Sequence, residues 1–271
     1  MKNPNAFLET IYDKVKRGET LVMSGVGSGL TAMSAVKGGA DILATYHTAA
    51  YRMEGVPSIL SCMPYDNCNE VALRLLPQVL TTSAGVPVLV GLGAHDPRQR
   101  HEVLLDRVEE GGGWGVVNEP FVGNFDGVLR ERLEKAGLGF QCELSMIRKA
   151  VKRGMLAHAW CFSPHEAEQM ADAGAHFIGA LVKANPLNPP AMTEILDYVQ
   201  SIVSAVKRTG SKAPVLIHGN PVDDIAVVTE VLQKTGAAGY ATGSSGERLP
   251  VIQGVSQTVA AFKSIRKGSF K

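Results

Sequence analysis

The chain has 271 residues, 45% hydrophobic and 20% charged, with a formal net charge of +1. This is ordinary globular composition, and its near-neutral balance argues against nucleic acid or an anionic membrane as an obligatory partner. No apolar stretch approaches the roughly 20 residues that span a bilayer, and Cys62, Cys68, Cys142 and Cys161 form no CxxC pair, so reduced thiols in a cytoplasmic protein are expected.

Residues 1–18, MKNPNAFLETIYDKVKRG, read as an amphipathic helix. Acidic residues interrupt it, so it is not a secretory signal. Eight compact apolar runs follow: TLVMSG, DILATYH, VPVLVGLG, WGVVNEP, LAHAWCF, HFIGALV, APVLIHG and AAGYATG. Several are rich in β-branched residues, and most stop at Gly or Pro, as buried strands do. Helical patterns separate them, among them PHEAEQMADAGA, LNPPAMTEILDYVQSIVSAVKRTG and DDIAVVTEVLQKTGA. Pro164 and Pro190 suit first turns; Gly174, Gly210 and Gly236 suit helix ends. The longest connection, YHTAAYRMEGVPSILSCMPYDNCNE, follows the second strand.

Strands alternating with helices over this length predict a closed (β/α)8 barrel. One domain over 1–271 is expected: the N-terminal helix at 1–18, set to cap the barrel bottom, and the barrel at 19–265. A doubly wound sheet is the rival, but its first turn, GVGSGL, does not match GxGxxG, and no nucleotide cofactor is expected.

In such a barrel, functional groups stand at the C-terminal ends of the strands. In chain order these ends offer Ser24, Gly25, Gly27 and Ser28; Tyr46, His47, Tyr51 and Arg52; His95 and Asp96; Asn118 and Glu119; Trp160 and Cys161; Lys183 and Asn185; His218 and Asn220; and Ser244, Ser245, Glu247 and Arg248. The opposite loops, such as KGGAD, SAGVP and TGAAG, are small and unreactive. The asymmetry marks a functional mouth.

His47, His95 and His218 are acid–base candidates, with His218 favoured for its place at a strand end. His158, His165, His101 and His176 are expected at surface, helix or strand-start positions. Cys161 sits in apolar AWCF without a local activator. In GYATGSSGERLPV, residues 239–251, Gly243, Ser244 and Ser245 form a small polar loop before a helix expected to begin near Pro250. With Gly25 and Ser28 across the barrel closure, this loop predicts a phosphate or carboxylate site. Glu247 is expected to turn away and pair with Arg248 or another cation. Ser24, Tyr46, Arg52 and Asn118 complete the binding set for a small anionic substrate.

The blocks MSGVGSGLTAMSAVKGGADILATYHTAAYRMEG, MPYDN, PVLVGLGAHDP, GVVNEPFVGNFDG, LGFQCELSMIRKA, FSPHEAEQMADAGA and GSSGERLPV together resemble the phosphoenolpyruvate hydrolase-like TIM-barrel family, from about residue 19 to about 265. That family is also described as similar to indole-glycerol-phosphate synthase. Fold analogy sets it near the phosphoenolpyruvate mutase and isocitrate lyase barrels, which hold a divalent metal on carboxylates beyond strands three and four. The resemblance thus implies an enzyme that hydrolyses or cleaves a small oxo-acid or enol phosphate; from the residues at the strand ends, His218, Glu119 and His47 are expected to do its proton work. The resemblance also implies Asp96 and Glu119 as ligands to Mg2+, a cation that takes oxygen donors. Two alternatives stand beside it. One is a Schiff-base aldolase using Lys183. The other is a barrel that binds without chemistry, as a related barrel in a plant virus-resistance protein suggests. A homo-oligomer is expected, since such barrels associate through outer helices.

Overall fold

The computed structural model describes residues 2–183, 188–220 and 222–266. Helix α1 (Pro4–Lys16) precedes β1 (Leu21–Gly25), α2 (Gly29–Lys37) and β2 (Ile42–Thr45). Next come α3 (His47–Met53), α4 (Cys68–Thr82), β3 (Val88–Leu92), α5 (His101–Glu110) and β4 (Gly115–Asn118). Helices α6 (Gly127–Lys135) and α7 (Phe140–Lys152) lead to β5 (Leu156–Cys161), α8 (Pro164–Asp172) and β6 (Phe177–Leu181). The chain continues with α9 (Met192–Arg208), β7 (Val215–His218), α10 (Ile225–Thr235), β8 (Gly239–Thr242) and α11 (Arg248–Lys263).

The eight strands close in sequence order, all parallel, and β1 completes the ring by pairing Leu21–Ser24 with Gly239–Thr242 of β8. All eight expected runs hold a strand. Parallel strands are covered on both faces, which is why they appear in the sequence as unbroken apolar runs. Between strands, Ser28, Asn67, Ser163 and Asp224 cap α2, α4, α8 and α10 by accepting from first-turn amides. Pro164 opens α8 as expected, whereas α9 starts at Met192 rather than Pro190 and α11 at Arg248 rather than Pro250. The long connection after β2 is not a bare loop. It folds into α3 and a 3-10 turn at Ser58–Cys62.

Side chains alternate along each strand. Val88, Val116, Ala157, Ile178 and Ile217 face outward into a shell of helices. Leu21, Ile42, Leu156, Phe177 and Leu216 face inward at the lower end, where Leu8 and Ile11 of α1 close the barrel. Phe7 packs on Trp114 and Phe177 with ring centroids 6.1 and 6.5 Å apart. A Lys14–Asp41 ion pair joins α1 to the turn before β2. The N-terminal helix is therefore a plug, and the opposite end is left open.

Candidate active site

Two steps further up the same strands, the inward positions change character. Leu156 is followed by His158 and Trp160, Ile42 by Ala44 and Tyr46, and Leu216 by His218. Such large groups fit because glycine faces them. A Cβ on Gly25 would collide with the Tyr46 hydroxyl, and one on Gly179 with the Trp160 ring and His158. Above this layer opens a cavity of about 710 Å³, lined by Tyr46, Arg52, Glu119, Lys183, His218 and Ser244 among others. A side cavity of about 240 Å³ adjoins it, and Glu119, Thr48 and Phe121 line both.

Glu119 is only 8% exposed. Burial pushes its pKa up to about 7, against the Thr48 hydroxyl and the Arg52 charge, which favour the carboxylate. His218 is oriented by its 2.8 Å contact with the Ala241 carbonyl. A carbonyl only accepts, so Nδ1 carries the proton and Nε2 is left as an acceptor. Its ring lies tilted against that of Trp160, with centroids 5.3 Å apart. Burial lowers the His218 pKa to about 4, helped by the Arg52 charge and opposed by the bond to Ala241. One cavity thus holds a carboxyl whose proton affinity is raised to near neutrality and an imidazole that burial keeps neutral there. Burial also pushes the Tyr46 hydroxyl up to about 12, so it is a donor at neutral pH.

Arg52 and Glu247 form a buried ion pair at 2.8 Å. The other Glu247 oxygen accepts from the Gly27 amide at 2.6 Å and the Thr31 hydroxyl at 2.7 Å. The expected pairing of Glu247 with a cation is present, through Arg52. The expected turn away from the loops is not, because the carboxylate sits between the β1 and β8 loops and takes the amide an external anion would need. The expected anion set therefore divides. Gly243, Ser244 and Ser245 line the large cavity, with Ser245 hydrogen-bonded to Tyr240 at 2.9 Å. Gly25 lies beneath Tyr46, and Ser28 is spent on capping α2 at the Thr31 amide. Ser24 is buried on the outer wall, 3.1 Å from the Thr242 hydroxyl.

Asn118 has no access to the mouth. Its amide bridges to β5 through the Trp160 amide (2.7 Å) and carbonyl (3.1 Å), and it donates to Glu143. Glu143, on the buried face of α7, also accepts from the Val122 amide at 2.7 Å and so holds the chain on both sides of Glu119. Burial pushes Glu143 up to about 8. His47 opens into the side cavity rather than the main one, and its Nε2 lies 3.2 Å from the Ser61 carbonyl. His95 lines the same side cavity. Lys183 lines the large cavity, its ammonium 5.2 Å from the Phe162 ring centre; Asn185 lies outside the described residues. Cys161 is buried, its thiol pushed well up by burial, and it does not line the cavity. His158 is no surface residue: it is fully buried inside the barrel, at 4.5 Å from Trp160.

Asp96 closes its own turn. It accepts from the Arg98 amide at 3.0 Å, from the Arg98 guanidinium at 2.9 and 3.2 Å, and from Asn67 at 3.2 Å. It lines neither cavity. Among the described residues, no group of three or more His, Cys, Asp or Glu stands together. Mg2+ takes ionised oxygen donors. Here one expected ligand, Asp96, is committed to Arg98 and stands outside both cavities that Glu119 lines, so the two residues do not form the carboxylate pair.

Residues 6–265 match the phosphoenolpyruvate hydrolase-like family, and the chain belongs to it. The tomato (Solanum lycopersicum) ToMV susceptible protein tm-1(GCR26) is 35% identical over 95% of this chain. The chain spans about a third of the length of the tomato relatives it matches, 35% and 36%. A phosphoenolpyruvate phosphomutase from Streptomyces platensis subsp. rosaceus shares the fold at TM-score 0.62 and 18% identity, over 95% of this chain and 86% of that one. A phosphonopyruvate hydrolase in complex with oxalate and Mg2+ does so at 0.58 and 13%, over 97% and 90%. No helix among the described residues is long and apolar enough to cross a membrane.

Proposed function

We propose that this member of the phosphoenolpyruvate hydrolase-like family is an enzyme that hydrolyses or cleaves a small oxo-acid or enol-phosphate anion in the large mouth cavity. The observation that carries this reading is the pairing of Glu119 and His218 in one cavity, with environments that favour the protonated carboxyl and the neutral imidazole. Such opposed settings divide acid and base roles between two groups. Glu119 gives a proton to the oxygen of the breaking or enolising bond. His218 Nε2 takes one from water or from a substrate hydroxyl. Tyr46, Ser244, Ser245 and Lys183 offer donors to the anionic end, and Arg52 adds positive potential shared with Glu247. Water is the co-reactant for hydrolysis. The free thiols accord with a cytoplasmic setting.

Turnover of a panel of phosphonate, enol-phosphate and oxo-acid substrates, followed by NMR, tests the reading. Consumption of one by the wild-type chain, lost in both Glu119→Gln and His218→Asn, is expected. Binding of such anions without turnover of any would favour the non-catalytic barrel. Lys183 in the same cavity supports the aldolase as second reading. Borohydride trapping with oxo-acids is expected to leave Lys183 unmodified, and an adduct there would replace the hydrolytic account.

A further inference from the structure

The longest connection of the chain, residues 46–67 between β2 and α4, builds a second chamber beside the mouth. Cys62, Met63 and Pro64 wall one side of it, and Pro120, Phe121 and Phe125, beyond β4, wall the other. The chamber holds about 240 Å³; an apolar cavity of roughly 150 Å³ is enough to take a benzene ring. It is continuous with the mouth, because Glu119, Phe121 and Phe125 belong also to the wall of the main cavity.

The two chambers differ in charge. Arg52 and Lys183 stand at the main cavity. Among the described residues, no lysine or arginine lines the side chamber. Its two imidazoles, His47 and His95, are held below the ordinary histidine range, chiefly by burial, and add no positive charge at neutral pH. Asp66, its one carboxylate besides Glu119, accepts from the Tyr51 hydroxyl at 2.7 Å and repels a second anion there. An anionic group is therefore drawn to the main cavity, and an uncharged one is what the side chamber can bury without an unpaired charge.

An aromatic wall sets the direction between them. The Lys183 ammonium lies 5.2 Å from the Phe162 ring centre, and Phe162 packs on Phe121 with centroids 4.9 Å apart. Phe121 and Glu119 then stand at the boundary of the two chambers. A substrate with its anionic end at Lys183 and its reacting atom at Glu119 sends its remaining substituent across Phe121 into the side chamber.

We propose that the side chamber is a specificity subsite: the substrate is an oxo-acid or enol-phosphate anion that carries an uncharged, ring-sized apolar substituent, buried against Met63, Phe121 and Phe125. This assignment rests on the enzymatic reading of the mouth and adds the part of the substrate that lies away from the anion.

Pyruvate and phenylpyruvate carry the same charge and differ by one phenyl ring, so they serve as probes. Calorimetry with the 271-residue chain is expected to show phenylpyruvate binding at least tenfold more tightly, since a single methylene in an apolar pocket is worth about tenfold or more. Met63 lines the side chamber and not the main cavity. Its ¹³C-methyl signal, assigned by its loss in Met63→Leu, is expected to move with the ring current of phenylpyruvate and to stay in place with pyruvate. Met63→Asp, at a position already 52% exposed, is expected to cut the affinity ratio about threefold or more with an unchanged circular dichroism spectrum. Equal affinities, an unmoved Met63 signal under saturating phenylpyruvate, a ratio unchanged in Met63→Asp, or no binding of either acid at millimolar concentration overturns the proposal. None of these measurements needs turnover. A chain that binds phenylpyruvate in this way but turns over no substrate loses the enzymatic reading alone. One that turns over small oxo-acids with Met63 unmoved loses the subsite alone.

Discussion

At the lower end of the barrel, Leu21, Ile42, Leu156 and Leu216 close over Leu8 and Ile11 of α1. At the upper end, the same four strands carry Gly25, Tyr46, Trp160 and His218. These positions lie two or four residues along the same face of each strand. The lower set has nothing to hydrogen-bond and is sealed by an apolar plug. The upper set trades that packing for polar groups, and it does so only where a facing glycine yields the volume. The difference separates stability from chemistry. Packing holds the ring together from below, and burial without full neutralisation sets the proton affinities above.

Replacing Glu119 should break the upper end alone. Glu119→Gln is expected to lower turnover on the true substrate by about 10²- to 10⁴-fold, with little change in the unfolding midpoint near pH 5. Its linkage sign sharpens the point. A carboxyl raised from 4.5 to about 7 contributes stability that is full below 4.5 and lost as pH rises through 7. The wild-type chain should therefore lose more stability between pH 5 and 8 than Glu119→Gln does. His218 runs the other way. Its neutral form contributes stability above 6.5 that is lost as pH falls through about 4.

Arg52→Ala should cross the boundary between the two ends. It leaves Glu247 buried without its ion-pair partner and is expected to cost about 3–5 kcal/mol by chemical denaturation, with loss of substrate binding as well. Ile11→Ala, in the plug, should cost about 2–5 kcal/mol while leaving the titrations of Glu119 and His218 unmoved. The smallest effect belongs to the β8 loop. Ser244→Val with Ser245→Val should weaken anion binding about tenfold, the worth of one or two neutral hydrogen bonds, without unfolding the barrel. Unchanged affinity would make that loop structural.

The barrel is legible in the sequence because strands buried on both faces leave continuous apolar runs, and all eight hold a strand. The plug is legible from the amphipathic pattern of residues 4–16. The mouth is legible as a face but not as a network. Arg52 and Glu247 lie 195 positions apart, and nothing local signals that a carboxylate from the last loop occupies the amide of the first. His158 carries a local signal that points away from the expected surface position. In LAHAWC it alternates with Leu156 and Trp160, so it shares their inward face. Glu143 carries a comparable signal: it stands between Phe140 and Ile147 at helical spacing, an acid on an apolar face whose role is to hold Asn118 and Val122. Asp96 reads equally well as a ligand and as a turn residue, and only the position of Arg98 separates the two.

Direct titration of the mouth tests the central claim whichever anion proves to be the substrate. Carboxyl-¹³C NMR of labelled glutamate, assigned by its loss in Glu119→Gln, reports Glu119; ¹⁵N signals of the imidazole, assigned through His218→Asn, report His218. The account predicts a Glu119 midpoint near 7 and a His218 that stays neutral, Nδ1-protonated, until about pH 4. A Glu119 midpoint near 4.5 together with a His218 midpoint near 6.5 would mean that the cavity tunes neither group, and would contradict the assignment of acid and base.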